Sequence, residues 1–259
     1  MSTETKTIKV NTKDIVVNPM AQRDVERRRA QYNKIMRTFD PDLVNPIKVA
    51  FIDGKYYCFD GQMTMKVLKA RNKGKDLCVE CKCYYGLTDM DMANLFVNQN
   101  GTVSKVTVAD KLRVMNNFGD PESVQIVRLT EANGLEISWN GTKGKNAIMA
   151  VSTLIDCFRL IGGLKDPDAF GQVIRVIKGA WDGDPAGSCS EILKGVTLFC
   201  KSYKGEFDES RLIRKLRDKL PADIVRDARV DRSNGSRKYG VQILQIYNGS
   251  LRSPLPNKM

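Results

Sequence analysis

A chain of 259 residues, 42% of them hydrophobic and 28% charged, has the balance of a folded protein with room for two domains, which excludes a fibrous or disordered one. No run approaches the roughly 18 consecutive apolar residues of a membrane span. The opening MSTETKTIKV lacks a charged-then-apolar secretion pattern, so the expectation is a cytoplasmic protein with no membrane partner. The surplus of 12 positive charges draws the chain toward polyanions, of which nucleic acid is the commonest. Residues 1–104 hold 17 basic and 12 acidic side chains and the remainder 25 and 18, so neither part is a basic tail. Seven irregularly spaced cysteines suit a reducing compartment better than a disulfide framework, and the chain has no histidine.

In chain order, TIKV and DIVV read as strands before the turn NPMAQR. DVERRRAQYNKIMRTFD reads as a helix, with Val25, Tyr32, Ile35, Met36 and Phe39 near helical spacing, and DPDLVNP stops it. IKVAFI and KYYCF flank Asp53-Gly54, the strongest short-range hairpin signal. QMTMKVLKARNKG is helical, with Met63, Val67 and Ala70 as its apolar stripe and Gly74 as its stop. LCVECKCYY alternates as a strand with Leu77, Val79, Cys81, Cys83 and Tyr85 on one face, and TDMDMANLFVNQNG follows as a helix.

Beyond residue 104 the texture becomes helical from VADKLRVMNNFG to YGVQILQIYNG, several segments starting at Asp-Pro or Asp-Glu and ending at Gly; only LEISW suggests a strand. The stripes Ile148, Val151, Leu154, Ile155, Phe158 and Leu160, and Phe170, Val173, Ile174, Ile177 and Trp181, read as bundle core. The expected organisation is an α/β domain over 1–104, a mainly α-helical domain over 105–248 and a mobile tail over 249–259.

The strand, Asp60-Gly61 and the following helix would aim free backbone N–H groups and the positive end of a helix dipole at one spot, as an anion site does. A tight strand-to-helix turn, with Asp60 as an N-cap accepting from the Met63 or Thr64 amide, explains the same residues. Residues 6 to about 110 add an order of pieces: VNPMAQRD, a helix, NPIKV, a hairpin, CFDGQMTMKVLKA, a strand and MANLFVNQN. With Asn18, Pro19, Gln22 and Arg23 at the entry, Pro46, Ile47 and Val49 on the next strand and Asp60 and Gly61 at the corner, this order resembles the N-terminal domain of the ParB/sulfiredoxin-like superfamily.

The resemblance implies an α/β (α+β) ParB/sulfiredoxin-like fold that binds a nucleotide triphosphate, CTP or ATP with Mg²⁺, at the corner. It implies Gln22, Arg23, Gly61, Gln62, Thr64, Lys66, Gln99 and Asn100 as the phosphate-binding set. It also implies work on DNA, since such proteins are often carried by plasmids, phages and other mobile elements. Where the pattern has basic residues after the glycine, this chain has Gln62, Met63 and Thr64, and Gln99-Asn100 stands where Glu-Asn is usual. Lys66 falls at the pattern's last arginine but lacks the bidentate fork. Nucleotide binding without efficient turnover is therefore expected. Gln62 also replaces the cysteine that sulfinic-acid reduction needs.

Other readings stay open. An enzyme of the same fold, a kinase or nuclease, would use Asp60 as its catalytic carboxylate with a divalent ion. A protein-interaction module would have lost the pocket and would dock a protein partner or form a homodimer. Arg27, Arg28 and Arg29 suit a phosphate backbone or a solvated helix face, and Arg237 and Lys238 open the second helix of a helix-turn-helix outline or of a capping hairpin. Cys78 lies off the face of Cys81 and Cys83, so the three do not converge, and no metal site is expected.

Overall fold

The computed structural model describes residues 4–17, 29–88, 90–92, 94–95, 107–230 and 235–259. They form two compact units, residues 1–120 and 121–259.

The first unit is built on a mixed five-stranded sheet: β1 (Glu4–Asn11), β2 (Ile15–Val17), β3 (Ile47–Ile52), β4 (Lys55–Asp60) and β5 (Cys78–Tyr85), in the order β1-β5-β3-β4-β2. β1–β5 and β3–β4 pair antiparallel, β5–β3 and β4–β2 parallel. The hairpin turn falls at Asp53-Gly54, both at positive φ (49° and 78°), the conformation a two-residue hairpin loop demands. The expected alternation of β5 holds, with Val79, Cys81 and Cys83 buried and Cys78, Glu80 and Lys82 exposed.

Both sheet faces are covered. Val10, Ile15, Ile47, Val49, Cys58, Cys81 and Cys83 form one core with Met65 of α2 (Gln62–Arg71), and Ala50, Phe59, Tyr84, Leu87 and Met92 form the other. The buried face of α2 is set by Met65 and Val67, with Leu68 packed beside them, rather than by the expected Met63–Val67–Ala70 stripe. Ala70 is exposed because the helix turns its Met65 side to the sheet. α1 (Arg29–Arg37) lies against α2, where the Arg71 guanidinium stacks 4.4 Å from the Phe39 ring.

The first unit runs past the expected boundary at 104 because α3 (Val108–Asn117) belongs to it and Phe118 packs on the second core. The second unit holds α4 (Pro121–Ala132), α5 (Val151–Ile161), α6 (Pro167–Trp181), α7 (Ser190–Ser202), α8 (Glu209–Arg217), α9 (Pro221–Ala228) and α10 (Arg237–Asn248). It is not purely helical. β6 (Glu136–Ile137), within LEISW, pairs parallel with β7 (Ala147–Ile148), so Ile148 enters the core from a strand rather than from the helix expected there. The two core stripes otherwise bury as expected, except that Ile155 and Trp181 are only half-buried and Leu160 is left outside.

The tail expected to be mobile is taken up by hydrogen bonds instead. The Asn248 side chain donates to Leu255 O and accepts from Leu255 N–H, both at 2.9 Å. Tyr203, fully buried, donates its hydroxyl to Pro256 O at 2.7 Å and accepts from Lys258 N–H at 3.0 Å. Two prolines leave few donors in this segment, and the buried Tyr203 at the C-cap of α7 and the half-buried Asn248 of α10 supply partners for its backbone.

Candidate functional site

The corner between β4 and α2 is the site that the sequence singles out. A bulge in the β3–β4 ladder precedes it: Val49 pairs with Cys58 and Lys48 with Asp60, which leaves Phe59 as an extra residue on β4. Such a bulge turns two consecutive side chains to one side. Phe59 fills the second core edge-on to Tyr84 at 5.4 Å, and Asp60 meets Lys48, Oδ2 to Nζ, at 3.2 Å.

Gly61 then makes the turn at φ 97°, ψ 11°. A Cβ there would stand 3.2 Å from Ile47 Cα and 3.3 Å from Ile47 Cγ1, so both the backbone conformation and the closeness of β3 require glycine. The Gly61 carbonyl accepts from Met65 N–H at 2.9 Å and starts α2.

Gly61 is itself the N-cap, and among the described residues no side chain caps the helix. This corrects the N-cap reading of Asp60: the bulge commits its carboxylate to Lys48. The first turn of α2 carries no acidic residue, so its amides and dipole end face no carboxylate of their own helix. Gln62 and Thr64 are half-exposed and add hydrogen-bonding side chains. Lys66 is exposed and shares a face with Gln62 one turn earlier, with Nζ 5.9 Å from the Tyr32 ring centroid on α1.

Beneath the corner Cys58 is buried, and its thiol donates to Asp60 O at 3.4 Å. Burial first, and the Asp60 carboxylate second, push it up to about 12. Cys81 is likewise raised, to about 11, chiefly by burial. These are core thiols that stay protonated at neutral pH, without the thiolate that nucleophilic chemistry uses.

Of the other expected site residues, Gln22, Arg23, Arg27, Arg28, Gln99 and Asn100 lie outside the described residues. Arg29 opens α1 and is exposed. Arg237 and Lys238 open α10 in the second unit, Arg237 exposed and Lys238 5.4 Å from the Tyr239 ring centroid. The rest of α10 buries Gly240, Ile243, Leu244 and Tyr247. The structure thus gathers Asp60, Gly61, Gln62, Thr64 and Lys66 at one corner.

Sequence reasoning missed Lys48. Counting outward from the Asp53-Gly54 turn sets Lys48 opposite Phe59, one residue from its true partner. Lysine and aspartate near the far ends of the hairpin were a usable signal, but the bulge that joins them was not visible.

Among the curated proteins and among the solved structures, none matches this chain. Over residues 17–259 it matches the model of a family of unknown function (DUF6551), and the chain belongs to that family.

Proposed function

We propose that the chain is a DNA-associated protein of ParB-like type whose N-terminal unit holds the phosphate of a nucleotide weakly at the Gly61 corner, without efficient turnover. The observation that carries this reading is the open start of α2, where Gly61 takes the N-cap position with no side chain to occupy the amides behind it. Backbone N–H groups at a helix start suit a phosphate, and Gln62, Thr64 and Lys66 are the side chains at hand to assist. Asp60 would repel an anion, but Lys48 neutralises it from β3. One lysine without arginine forks supports weak binding of CTP or ATP, with Mg²⁺ to screen the remaining phosphates. Arg29, Arg237 and Lys238, together with the net charge of +12, supply contacts suited to a DNA backbone.

Calorimetric titration with CTP and ATP, with and without Mg²⁺, tests the first half. A dissociation constant of about 1 mM is expected, near 4 kcal/mol. Fluorescence anisotropy with duplex and single-stranded DNA at rising salt tests the second, with a steep loss of affinity expected. No nucleotide response at millimolar concentration together with no DNA binding at low salt would sink the proposal. Turnover that Asp60→Ala abolishes would replace it with the kinase or nuclease reading.

A further inference from the structure

β1 is the outer strand of the five-stranded sheet, eight residues long, and among the described residues nothing pairs with its outer side. The direction of its backbone groups follows from one hydrogen bond. The β1–β5 register runs without a shift from Glu4↔Tyr85 to Asn11↔Cys78, and just beyond it Thr12 N–H donates to Leu77 O at 2.9 Å. Directly opposed residues in an antiparallel ladder alternate between exchanging hydrogen bonds and not doing so. Counting back from Thr12, Val10, Ile8, Lys6 and Glu4 turn their N–H and C=O groups to β5. Thr5, Thr7 and Lys9 turn theirs outward, and all three residues are exposed.

Proteins usually blunt such an edge with a short strand, a bulge, proline or uncompensated charge. β1 is among the two longest strands of its sheet and has neither bulge nor proline. Its charges are largely compensated: Lys6 Nζ lies 2.9 Å from Glu4 Oε1 in the same strand, and Lys9 stands opposite Glu80 in the register. The strand also carries its own complement. About a two-fold axis perpendicular to the sheet, facing residues share a face, which restricts the registers. An axis at Lys6 would oppose two lysines. An axis at Ile8 sets half-buried Ile8 against its copy, Lys6 against Val10 and Thr7 against Lys9, with no like charges opposed and every outward group of Thr7 and Lys9 paired. Ile8 already packs on the first core, so this register extends that core across the junction.

We infer that β1 is a self-association edge, joining two copies of the chain antiparallel about Ile8 into one continuous sheet. This goes beyond the nucleotide and DNA reading and stands or falls separately from it.

The test is the mass of the full chain by sedimentation velocity and light scattering over a concentration series, for the native chain and for Thr7→Pro. Thr7 directs its N–H away from β5, so proline there removes no bond of the folded sheet but deletes a bond of the dimer. The native chain is expected to dimerise, and Thr7→Pro to raise the dimer dissociation constant at least tenfold with an unchanged circular dichroism spectrum. Ile8→Cys supplies a second readout that does not depend on proline. Non-hydrogen-bonded partners sit about 4.5 Å apart at Cα, within disulfide reach. Oxidised Ile8→Cys should therefore run as a covalent dimer, while Thr5→Cys, facing Asn11 of the other copy, should not. A native chain that stays monomeric at its highest soluble concentration overturns the inference. So does a dimer that neither Thr7→Pro weakens nor Ile8→Cys traps.

Discussion

Lys48 on β3 and Asp60 at the end of β4 meet at 3.2 Å because a bulge at Phe59 shifts the ladder by one residue. About a third of each side chain is exposed (27% and 35%), so the pair is screened and contributes about 0–1 kcal/mol. Its larger effect is electrostatic bookkeeping at the corner. Asp60→Asn removes a negative charge beside the α2 amides and should tighten any phosphate bound there, whereas Lys48→Ala, which leaves Asp60 uncompensated, should weaken it. Calorimetry with CTP reads both, and chemical denaturation should place both variants within about 1 kcal/mol of the native chain.

Gly61→Ala is a harsher change. It forces an L residue to φ 97° and presses a methyl group to 3.2 Å from Ile47 Cα. A loss of about 1–3 kcal/mol is expected in urea melts. Gly54→Ala, also at positive φ but with open space around its Cβ, should cost less; equal losses would show that crowding against Ile47 adds nothing.

Tyr203→Phe removes the hydroxyl that ties down the C-terminal segment through Pro256 and Lys258. A buried hydroxyl with two partners makes this loss about 1–3 kcal/mol. Limited proteolysis should then cut within residues 249–259 sooner than in the native chain.

Asp182, at the C-cap of α6, is held down to about 2 by hydrogen bonds from Lys178 and Lys145 and by their charges. A folded-state value below the usual 3.8 means the group binds its proton more readily unfolded. Its stabilisation is complete above about pH 4 and is lost as pH falls toward 2. Thermal melts across that window should show a shallower decline for Asp182→Asn than for the native chain.

Thiol labelling separates the cysteines. Cys78 is exposed, whereas Cys58, Cys81, Cys83, Cys157 and Cys200 are buried. Burial raises the thiols of all five, Cys58 to about 12 and Cys81 and Cys157 to about 11. Mass spectrometry after brief alkylation at mildly alkaline pH should find Cys78 modified first and these five only after unfolding.

Much of the first unit is legible in local chemistry. Asp53-Gly54 announces the hairpin, two-residue alternation fixes the inward face of β5, and Gly61 marks the corner because glycine takes φ 97° without the strain an L side chain meets there. The second unit's helix starts are legible for the same reason, as at Asp208, whose carboxylate caps α8 through Arg211 N–H. Less legible are features that depend on partners far along the chain. β6 and β7 are two-residue strands whose pairing no periodicity can show, and the C-terminal segment is fixed by Tyr203, more than fifty residues earlier.

The sequence by itself determined that a strand must turn through glycine into a helix at Gly61, since backbone sterics are local. Only the tertiary structure decided what Asp60 does beside it. A carboxylate at that position can cap the helix or pair across the sheet, and the choice rests on a one-residue shift in ladder register. Phe59, the residue that shift leaves over, packs against Tyr84 in the core, a contact between residues 25 positions apart that neither local spacing nor composition encodes.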